Sequence, residues 1–350
     1  MNPKKAVLVT GAAVAGAGLL CAGTAAAVVV QTLRRKKMPL AGKVVLITGS
    51  SRGLGLALAE EFGRHGAKLV LTARDPWELE RARQTVVERG ARSVDEVMTI
   101  PADLRQADEA QQVVDKATKQ LGRIDVLVNN AGVITVGPVE NQRIEDFHGV
   151  MESNFFTGVH CALSVLPQMM ERRSGTIVNI ASIGGKVAVP HMLPYAASKF
   201  AAVGFSEGLH AELRSKGVHV LTVCPGLMRT GSHVSAQFSG DAEREYRWFS
   251  LAANVPGIST SAACAARRIV RAVRSGETEI AITPQAVAAA RMSSVAPEAV
   301  ALGMSLVNRI LPKPAQGKTE PRRGSEVRGR ETMPASTMGD AVARKYNQMA

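Results

Sequence analysis

The segment over residues 44–64 constrains the fold of this chain more than any other. A continuous apolar run, Val44–Ile47, precedes the loop TGSSRGLG at 48–55, and an amphipathic stretch follows. An unbroken apolar run is typical of a parallel strand that is buried on both faces. Gly49, Gly53 and Gly55 allow a tight turn and close backbone approach, and the N-terminus of the following helix favours an anion. The pattern predicts a strand, an anion-binding loop and a helix at the start of a parallel α/β sheet.

Six further strand-like runs follow, separated by helical stretches. They are Leu69–Thr72, Val97–Ile100, Ile124–Val128, Thr176–Ala181, Val218–Val223 and Glu279–Thr283. Strands that alternate with helices favour an α/β domain built on a parallel sheet. Such sheets bind ligands at the carboxyl ends of their strands, and the glycine-rich loop indicates a dinucleotide.

The end of the second strand bears on which dinucleotide binds. Ala73 occupies the position where an acid would bind the 2′-hydroxyl of the ribose, and Arg74 follows it. Arg52 and Arg74 together suit a 2′-phosphate, which favours NADP(H) over NAD(H). Two alternatives stay open: both arginines are ordinary surface residues, or Asp75 serves a ribose.

Polar residues at other strand ends are further candidates. Asp103 follows the third strand and suits either the amino group of an adenine or the cap of the next helix. Asn130 precedes an Ala-Gly pair whose small side chains admit a cofactor. Asn154 is a polar amide within a predicted long helix over 144–170, a pattern that also fits a hydrogen-bonded core residue.

Ser182, Tyr195 and Lys199 form a candidate catalytic group. Tyr195 and Lys199 are four residues apart, so a helix that begins at Pro194 places both on one face. A nearby ammonium favours the phenolate and lowers the pKa of a tyrosine, which makes Tyr195 a candidate proton donor and acceptor. Ser182 ends a strand and suits a hydrogen bond to a carbonyl oxygen better than nucleophilic attack.

Taken together, these motifs resemble those of the classical short-chain dehydrogenase/reductase family. The matching segments are TGSSRGLG at 48–55, NNAG at 129–132, Asn154, Ser182, YAASK at 195–199 and PGLMRT at 225–230, within roughly 40–285. The resemblance implies a doubly wound Rossmann fold with a seven-stranded, mainly parallel sheet. It also implies interconversion of a carbonyl and an alcohol with NAD(P), by a tetrad of Asn154, Ser182, Tyr195 and Lys199. Ser182 would hold the substrate oxygen, Tyr195 would exchange its proton, and Asn154 would hold a water of the proton relay.

The cofactor contacts expected from the sequence and the resemblance come from six parts of the chain. They are Thr48, Gly49, Ser51, Arg52, Gly53, Leu54, Gly55, Arg74, Asp103, Asn130, Ala131, Gly132, Tyr195, Lys199, Pro225, Gly226 and Thr230. Ser182 and Tyr195 would contact the substrate. No metal site is expected, because the four cysteines show no ligand spacing and fit reduced, buried thiols.

The ends of the chain predict where it works. Residues 6–30 carry no charge, and 25 helical residues span about 37 Å, enough to cross a bilayer. The basic cluster at 34–37 favours a retained anchor over a cleaved signal and weakly places the catalytic domain in the cytoplasm. Of the net charge of +13, the body between 44 and 311 carries only +2, so we expect membrane lipid as a partner and no nucleic acid.

We therefore divide the chain into four parts. Residues 1–39 form the anchor, 40–285 the catalytic domain with a lid over 230–261, 286–311 amphipathic helices, and 312–350 a disordered basic tail. Aromatic residues in the lid favour a lipophilic carbonyl substrate such as a ketoacyl chain, retinoid or steroid, although ordinary lid packing explains them equally. The competing functions are an NAD-dependent alcohol dehydrogenase and a non-catalytic nucleotide-sensing scaffold. The resemblance also implies a homo-oligomer, which no particular residue decides.

Overall fold

Seven parallel strands form the central sheet of the protein. A computed structural model describes residues 37–255, 257–328 and 334–349, and residues 39–350 form one compact unit. The strands are β1 (Val44–Thr48), β2 (Lys68–Ala73), β3 (Val97–Pro101), β4 (Val126–Asn129), β5 (Gly175–Ile180), β6 (Val218–Pro225) and β7 (Glu279–Ile282). Their spatial order is β7-β6-β5-β4-β1-β2-β3. The order reverses between β1 and β4, which confirms the predicted Rossmann-type topology.

Eleven helices of eight or more residues and several short turns accompany these strands within the described residues. The first six helices are α1 (Gly53–Arg64), α2 (Pro76–Arg89), α3 (Ala107–Leu121), α4 (Ile144–Met151), α5 (Thr157–Glu171) and α6 (Leu193–Leu213). They are followed by α7 (Ala242–Asn254), α8 (Ala262–Ser275), α9 (Pro284–Val295), α10 (Pro297–Ile310), the single turn α11 (Gly324–Val327) and α12 (Pro334–Lys345).

The sheet is buried on both faces because its strands are apolar throughout. All five residues of β1 are buried, as expected from its unbroken apolar sequence. On one face Leu46 and Leu127 belong to a core that includes Val113 of α3 and Val165 of α5. On the other, α1 packs against α8. Cys161 and Cys224 are buried free thiols, whereas Cys264 is free but exposed.

The predicted lid is a packed layer of its own. A two-residue strand, Gln237–Phe238, pairs with Thr135–Val136 and with Arg322–Arg323, and helix α7 covers it. Phe238 contacts the rings of Tyr246 and Phe249, with ring centroids 5.5 and 5.9 Å apart respectively. These three side chains are at most 7% exposed, so they form the core of the lid and have little surface to offer a substrate.

The C-terminal region differs from the disordered tail expected over 312–350. Residues 322–323 join the small sheet of the lid, and α12 is followed by Tyr346, which is 4% exposed. Composition indicated disorder because the segment is rich in charge, Pro and Gly. Its described residues are ordered because they add apolar side chains, such as Val327 and Ala343, to a surface that the rest of the fold provides.

The predicted membrane anchor at 6–30 lies outside the described residues. Across the part of the chain that the structure describes, none of the helices combines the length and apolarity needed to cross a bilayer. Helices α9 and α10 correspond to the amphipathic helices expected over 286–311. The side chains of Val295, Leu302, Leu306 and Ile310 are 82, 65, 52 and 83% exposed.

Candidate active site

The glycine-rich loop and the NNAG segment are joined by hydrogen bonds at the carboxyl edge of the sheet. Asn130 donates through Nδ2 to the carbonyl oxygens of Thr48 and Gly49, at 2.9 and 3.0 Å. The hydroxyl of Thr48 accepts from the backbone N–H groups of Asn130 and Ala131, both at 2.9 Å. Thr48 and Asn130 therefore hold this edge of the site in place.

Small residues make the edge as tight as the sequence predicts. Gly49 has a φ of +59°, and a Cβ atom there would lie 2.8 Å from Cα of Ala131. A Cβ on Gly55 would lie 2.2 Å from the carbonyl oxygen of Gly49. Larger residues would force the two segments apart, so Gly49 and Gly55 are required by the packing as well as by the anion site.

The two arginines proposed to select the cofactor differ in their surroundings. Arg52 donates through Nη1 to Oε1 of Glu78 at 3.2 Å, and Ser51 donates to the other oxygen of Glu78 at 3.0 Å. Arg74 is exposed at the end of β2. Glu78 was not singled out in the sequence, because an acid in the first turn of α2 has no feature that distinguishes it from a surface residue.

Both nearby aspartates have structural partners. Asp75 is the N-cap of α2 and accepts from the N–H groups of Trp77 and Glu78 at 2.8 and 3.1 Å. Asp103 accepts from Nε of Arg105 at 3.0 Å, and this hydrogen bond is the main cause that lowers the pKa of Asp103. The expected alternative of a helix cap does not apply to Asp103, because the N-cap of α3 is Gln106.

Ser182 and Tyr195 come together where β5 ends and α6 begins. A Cβ on Gly184 would lie 3.4 Å from Oγ of Ser182 and 3.3 Å from Cε1 of Tyr195, so the two side chains are neighbours. Ser182 accepts from the N–H of Gly184 at 3.0 Å, which fixes its hydroxyl at the strand end. The turn at Gly184 therefore packs closely on the tyrosine ring.

Burial raises the pKa of Tyr195, and the nearby hydroxyl of Ser182 acts in the opposite direction. The sequence predicted a pKa lowered by Lys199. In the structure burial is the larger influence, and the lysine is not among the causes. Tyr195 is therefore a neutral phenol at neutral pH, suited to donate its proton.

Lys199 lies one helical turn beyond Tyr195 and is 5% exposed. Its Nζ donates to the carbonyl oxygen of Ile180 at 2.9 Å and lies 5.8 Å from the centroid of the Tyr195 ring. Burial lowers the pKa of Lys199 to about 8. The ammonium is thus held between the end of β5 and the tyrosine, as the four-residue spacing predicted.

Asn154 lies in an irregular part of the predicted long helix. Residues Glu152–Phe156 form a π-helical turn between α4 and α5, a feature that is frequent at functional sites. The side chain of Asn154 accepts from the N–H of Val133 at 2.6 Å and donates to the carbonyl oxygen of Val133 at 3.0 Å. It also donates to Ser198 at 3.0 Å. Asn154 therefore ties the segment after NNAG to the helix that carries Tyr195.

Ser198 is a residue of this site that the sequence analysis did not assign. Its hydroxyl accepts from Asn154 and donates to the carbonyl oxygen of Tyr195 at 2.7 Å. It is completely buried. The one sequence signal for Ser198 was its position inside the YAASK segment. In the structure it lies on the side of its helix that faces Asn154.

The PGLMRT segment closes the site at the end of β6. Gly226 donates to the carbonyl oxygen of Ile282 at 2.9 Å, and a Cβ there would lie 2.5 Å from Oγ1 of Thr283. Thr230 is buried and lies near Gly53, since its Cβ is 4.0 Å from the position of a Cβ on that glycine. Pro225 ends the strand, so the segment turns back over the glycine-rich loop.

A buried acid, which no sequence pattern indicated, joins the lid to the loop before Tyr195. Glu245 of α7 is fully buried, and its two oxygens contact Nδ1 of His191 at 2.8 Å and Nε1 of Trp248 at 2.6 Å. His191 has a φ of +63°, and its carbonyl oxygen accepts from Gly137 at 2.7 Å. The group fixes the lid relative to the catalytic helix.

These residues fit a dinucleotide cofactor. At the loop 48–55 the backbone lies close to the N-terminus of α1. Glycines allow this close approach, because a Cβ atom in their place would clash with neighbouring atoms. The predicted contacts from Thr48 to Thr230 surround one edge of the sheet. Among the residues that the structure describes, no cluster of His, Cys, Asp or Glu suits a metal ion.

Comparison with known proteins agrees with this arrangement. The family model for short chain dehydrogenase matches residues 43–238. The ketoacyl reductase HetN of Nostoc sp. is 33% identical over 244 residues, which are 69% of this chain and 79% of HetN. Dehydrogenase/reductase SDR family member 7B of Danio rerio is 36% identical over 238 residues, which are 65% of this chain and 75% of that protein.

Two solved structures share the fold. A short chain dehydrogenase/reductase from Burkholderia phymatum in complex with NAD has a TM-score of 0.67 and 28% identity, covering 75% of this chain and 96% of its own. L-Sorbose reductase from Gluconobacter frateurii, complexed with NADPH and L-sorbose, has a TM-score of 0.62 and 26% identity, covering 70% and 97%. The chain belongs to the short-chain dehydrogenase/reductase family, and it is an NAD(P)-dependent oxidoreductase.

Proposed function

We propose that this enzyme reduces a lipophilic ketone to a secondary alcohol with NADPH, using Tyr195 as the proton donor. The observation that carries the proposal is the convergence of three side chains at the end of β5. A Cβ on Gly184 would lie 3.3 Å from Cε1 of Tyr195 and 3.4 Å from Oγ of Ser182, and Nζ of Lys199 is 5.8 Å from the centroid of the Tyr195 ring. The cofactor supplies the hydride when it is bound. The residues of the chain do the rest.

Each side chain has a defined task in this proposal. Ser182 donates a hydrogen bond to the substrate oxygen, and Tyr195 gives that oxygen its proton as negative charge develops. The positive charge of Lys199 then stabilises the phenolate that remains on Tyr195. Asn154 keeps the segment after NNAG and the Tyr195 helix in register and holds a water that returns the proton.

The preference for NADP(H) rests on Arg52 and Arg74. Arg52 is at the glycine-rich loop, and Arg74 follows β2 at the place where an acid would bind a ribose hydroxyl. Glu78 competes for Arg52, since the two side chains form an ion pair at 3.2 Å. Preference for NAD(H) is therefore the second candidate, and the relative crystallised with NAD supports it.

The lipophilic substrate is supported by the exposed apolar face of α9 and α10 and by the name of a relative, ketoacyl reductase. The lid aromatic residues support it less, because they pack on one another. We place the enzyme at the cytoplasmic face of a membrane, held by residues 6–30, and as a homo-oligomer.

The test is a pair of measurements on the wild-type chain and on Tyr195→Phe. Titration with NADPH and NADH, followed by nicotinamide fluorescence, gives the cofactor preference, and the preferred cofactor is then used with a series of ketoacyl, retinoid and steroid ketones. We expect Tyr195→Phe to bind cofactor normally and to lose at least about 100-fold in kcat. Turnover that survives in Tyr195→Phe contradicts the proposed mechanism, and a wild-type chain that binds nucleotide without any turnover favours the scaffold.

A further inference from the structure

The last residues of the chain lie on the glycine-rich loop. The N–H of Gly53, at the start of α1, donates to the carbonyl oxygen of Tyr346 at 2.9 Å. Asn347 donates through Nδ2 to the carbonyl oxygen of Ser51 at 3.3 Å. The loop predicted to bind the cofactor therefore contacts residues about 300 positions further along the chain. These residues were not predicted to belong to the cofactor site.

This C-terminal segment, residues 339–349, is held at several points. Tyr346 is 4% exposed and Ala343 is fully buried. Arg89 at the end of α2 donates to the carbonyl oxygen of Lys345 at 3.3 Å, and Asp340 forms an ion pair with Arg328. The contacts bury side chains and satisfy backbone groups, so the segment is a built part of this edge.

Gln348 extends from this segment into the gap between the glycine-rich loop and the lid. Its Oε1 accepts from Ser235 of the lid at 2.6 Å. Its Nε2 would lie 2.8 Å from a Cβ on Gly53, and its Cγ 3.1 Å from a Cβ on Gly231. The amide nitrogen is thus beside the first residue of α1, close to Thr230.

The chemistry of the gap favours an anion. The N–H of Gly53 is already bonded to Tyr346, so the start of α1 offers an anion the N–H groups of Leu54 and Gly55, which have no partner within the helix, and the positive end of the helix dipole. Nε2 of Gln348 adds two more N–H donors, and its oxygen is already occupied by Ser235, which fixes which end of the amide faces Gly53. Because the carboxamide of Gln348 is neutral, it can donate hydrogen bonds to an anion, but it forms no ion pair with other residues that would close the gap.

We propose that Gln348 is a cofactor-binding residue, which donates from the C-terminal segment to the pyrophosphate at the start of α1. The inference rests on the cofactor class of the proposed function. The pyrophosphate is common to NADPH and NADH, so Gln348 contributes equally to both and has no part in the choice between them. The C-terminal segment is then a part of the cofactor site.

Three chains with their full length test this proposal: wild type, Gln348→Ala and Gln348→Glu. Dissociation constants for NADPH and NADH are measured by fluorescence titration at low and high salt. We expect Gln348→Ala to weaken both nucleotides by the same factor, about tenfold, because a hydrogen bond to a charged group is lost. Glutamate keeps the acceptor for Ser235 but places a carboxylate near the phosphates, so Gln348→Glu should weaken binding further, and salt should relieve the additional loss.

Gln112→Glu is the matched control, since it makes the same change of charge at an exposed position of α3. Its affinity should equal that of wild type. Unchanged affinity in Gln348→Glu, or tighter binding in Gln348→Ala, overturns the proposal, the latter because it would show that the segment obstructs the cofactor. A wild-type chain that binds neither nucleotide overturns the proposed function and this inference with it.

Discussion

At the scale of single residues, the proposed preference for NADP(H) depends on whether the Arg52 guanidinium binds Glu78 or the 2′-phosphate of the cofactor. Its guanidinium pairs with Glu78, and both side chains are partly exposed, at 38 and 22%. An ion pair in such a position contributes about 0–1 kcal/mol, so a phosphate can compete for the arginine. Glu78 also accepts from Ser51, and this second bond keeps the carboxylate at the loop when Arg52 turns away.

Replacing Glu78 by Gln should therefore strengthen binding of NADPH. The expected gain is up to about fivefold, the size of an exposed ion pair, with little change for NADH. Fluorescence titration of both nucleotides measures it. Glu80→Gln is the control, because Glu80 forms a similar pair with Arg83 at 3.4 Å on the same helix. Equal gains for both nucleotides, or for both variants, would contradict a role of Arg52 in selecting the phosphate.

The catalytic group shows what sequence can and cannot predict at this scale. The positions of Ser182, Tyr195 and Lys199 followed from strand ends and from the four-residue helical spacing, which are local properties. Ser198 and Glu245 were missed because their partners are 44 and 54 residues away in the chain. The pKa direction of Tyr195 was missed for a similar reason, since burial depends on packing that no short pattern encodes.

At the scale of elements, the lid and the C-terminal segment form one unit through His233. This residue is 1% exposed and packs on Tyr246, with ring centroids 5.9 Å apart. A Cβ on Gly339 would lie 3.1 Å from its Cε1, so α12 passes close to it. Burial lowers the pKa of His233 to about 4, opposed by Asp340 and assisted by Arg328.

Acid should therefore destabilise this unit. In the unfolded chain the histidine has a pKa near 6.5, so between about pH 6.5 and 4 the unfolded state binds more protons than the folded state. The free energy of unfolding then falls as pH falls through this window, by about 3 kcal/mol at most. Thermal unfolding of wild type and of His233→Gln at pH 5.0 and 7.5 measures it. The variant should lose less stability at pH 5.0, and an equal loss in both would remove His233 as the cause.

The elements themselves were predictable where their pattern was local and strong. All seven strands lie close to their predicted ranges, because parallel strands buried on both faces are apolar without interruption. The predicted helix over 144–170 was interrupted by a π-helical turn at Asn154, whose amide is bonded to Val133. The ordered structure of the C-terminal segment was not predicted, because Tyr346 and Ala343 are buried against elements that are distant in the sequence. The composition of the segment reflects only the polar residues around them.

At the scale of the whole molecule, positive charge and exposed apolar surface are concentrated toward the ends of the chain. The described domain keeps its excess of positive charge at its C-terminal end, and the sequence places a second basic cluster beside the uncharged run at 6–30. Helix α10 has no buried residue and exposes Leu302, Leu306 and Ile310. The anchor proposed at 6–30 and an amphipathic helix would together give two separate attachments to a bilayer, and only a spanning helix would resist removal from the membrane.

We expect the full chain, expressed in cells, to stay in the membrane fraction after an alkaline carbonate wash, because a spanning helix is not extracted by loss of charge pairing. Replacing Leu302, Leu306 and Ile310 together by Ser should leave it there, since the anchor suffices. Deleting residues 1–36 should convert the protein to one that carbonate releases, and combining the deletion with the three serines should leave it in the supernatant before any wash. A full chain that carbonate extracts would exclude the predicted anchor, and a deletion variant that is released without a wash would exclude attachment by α10.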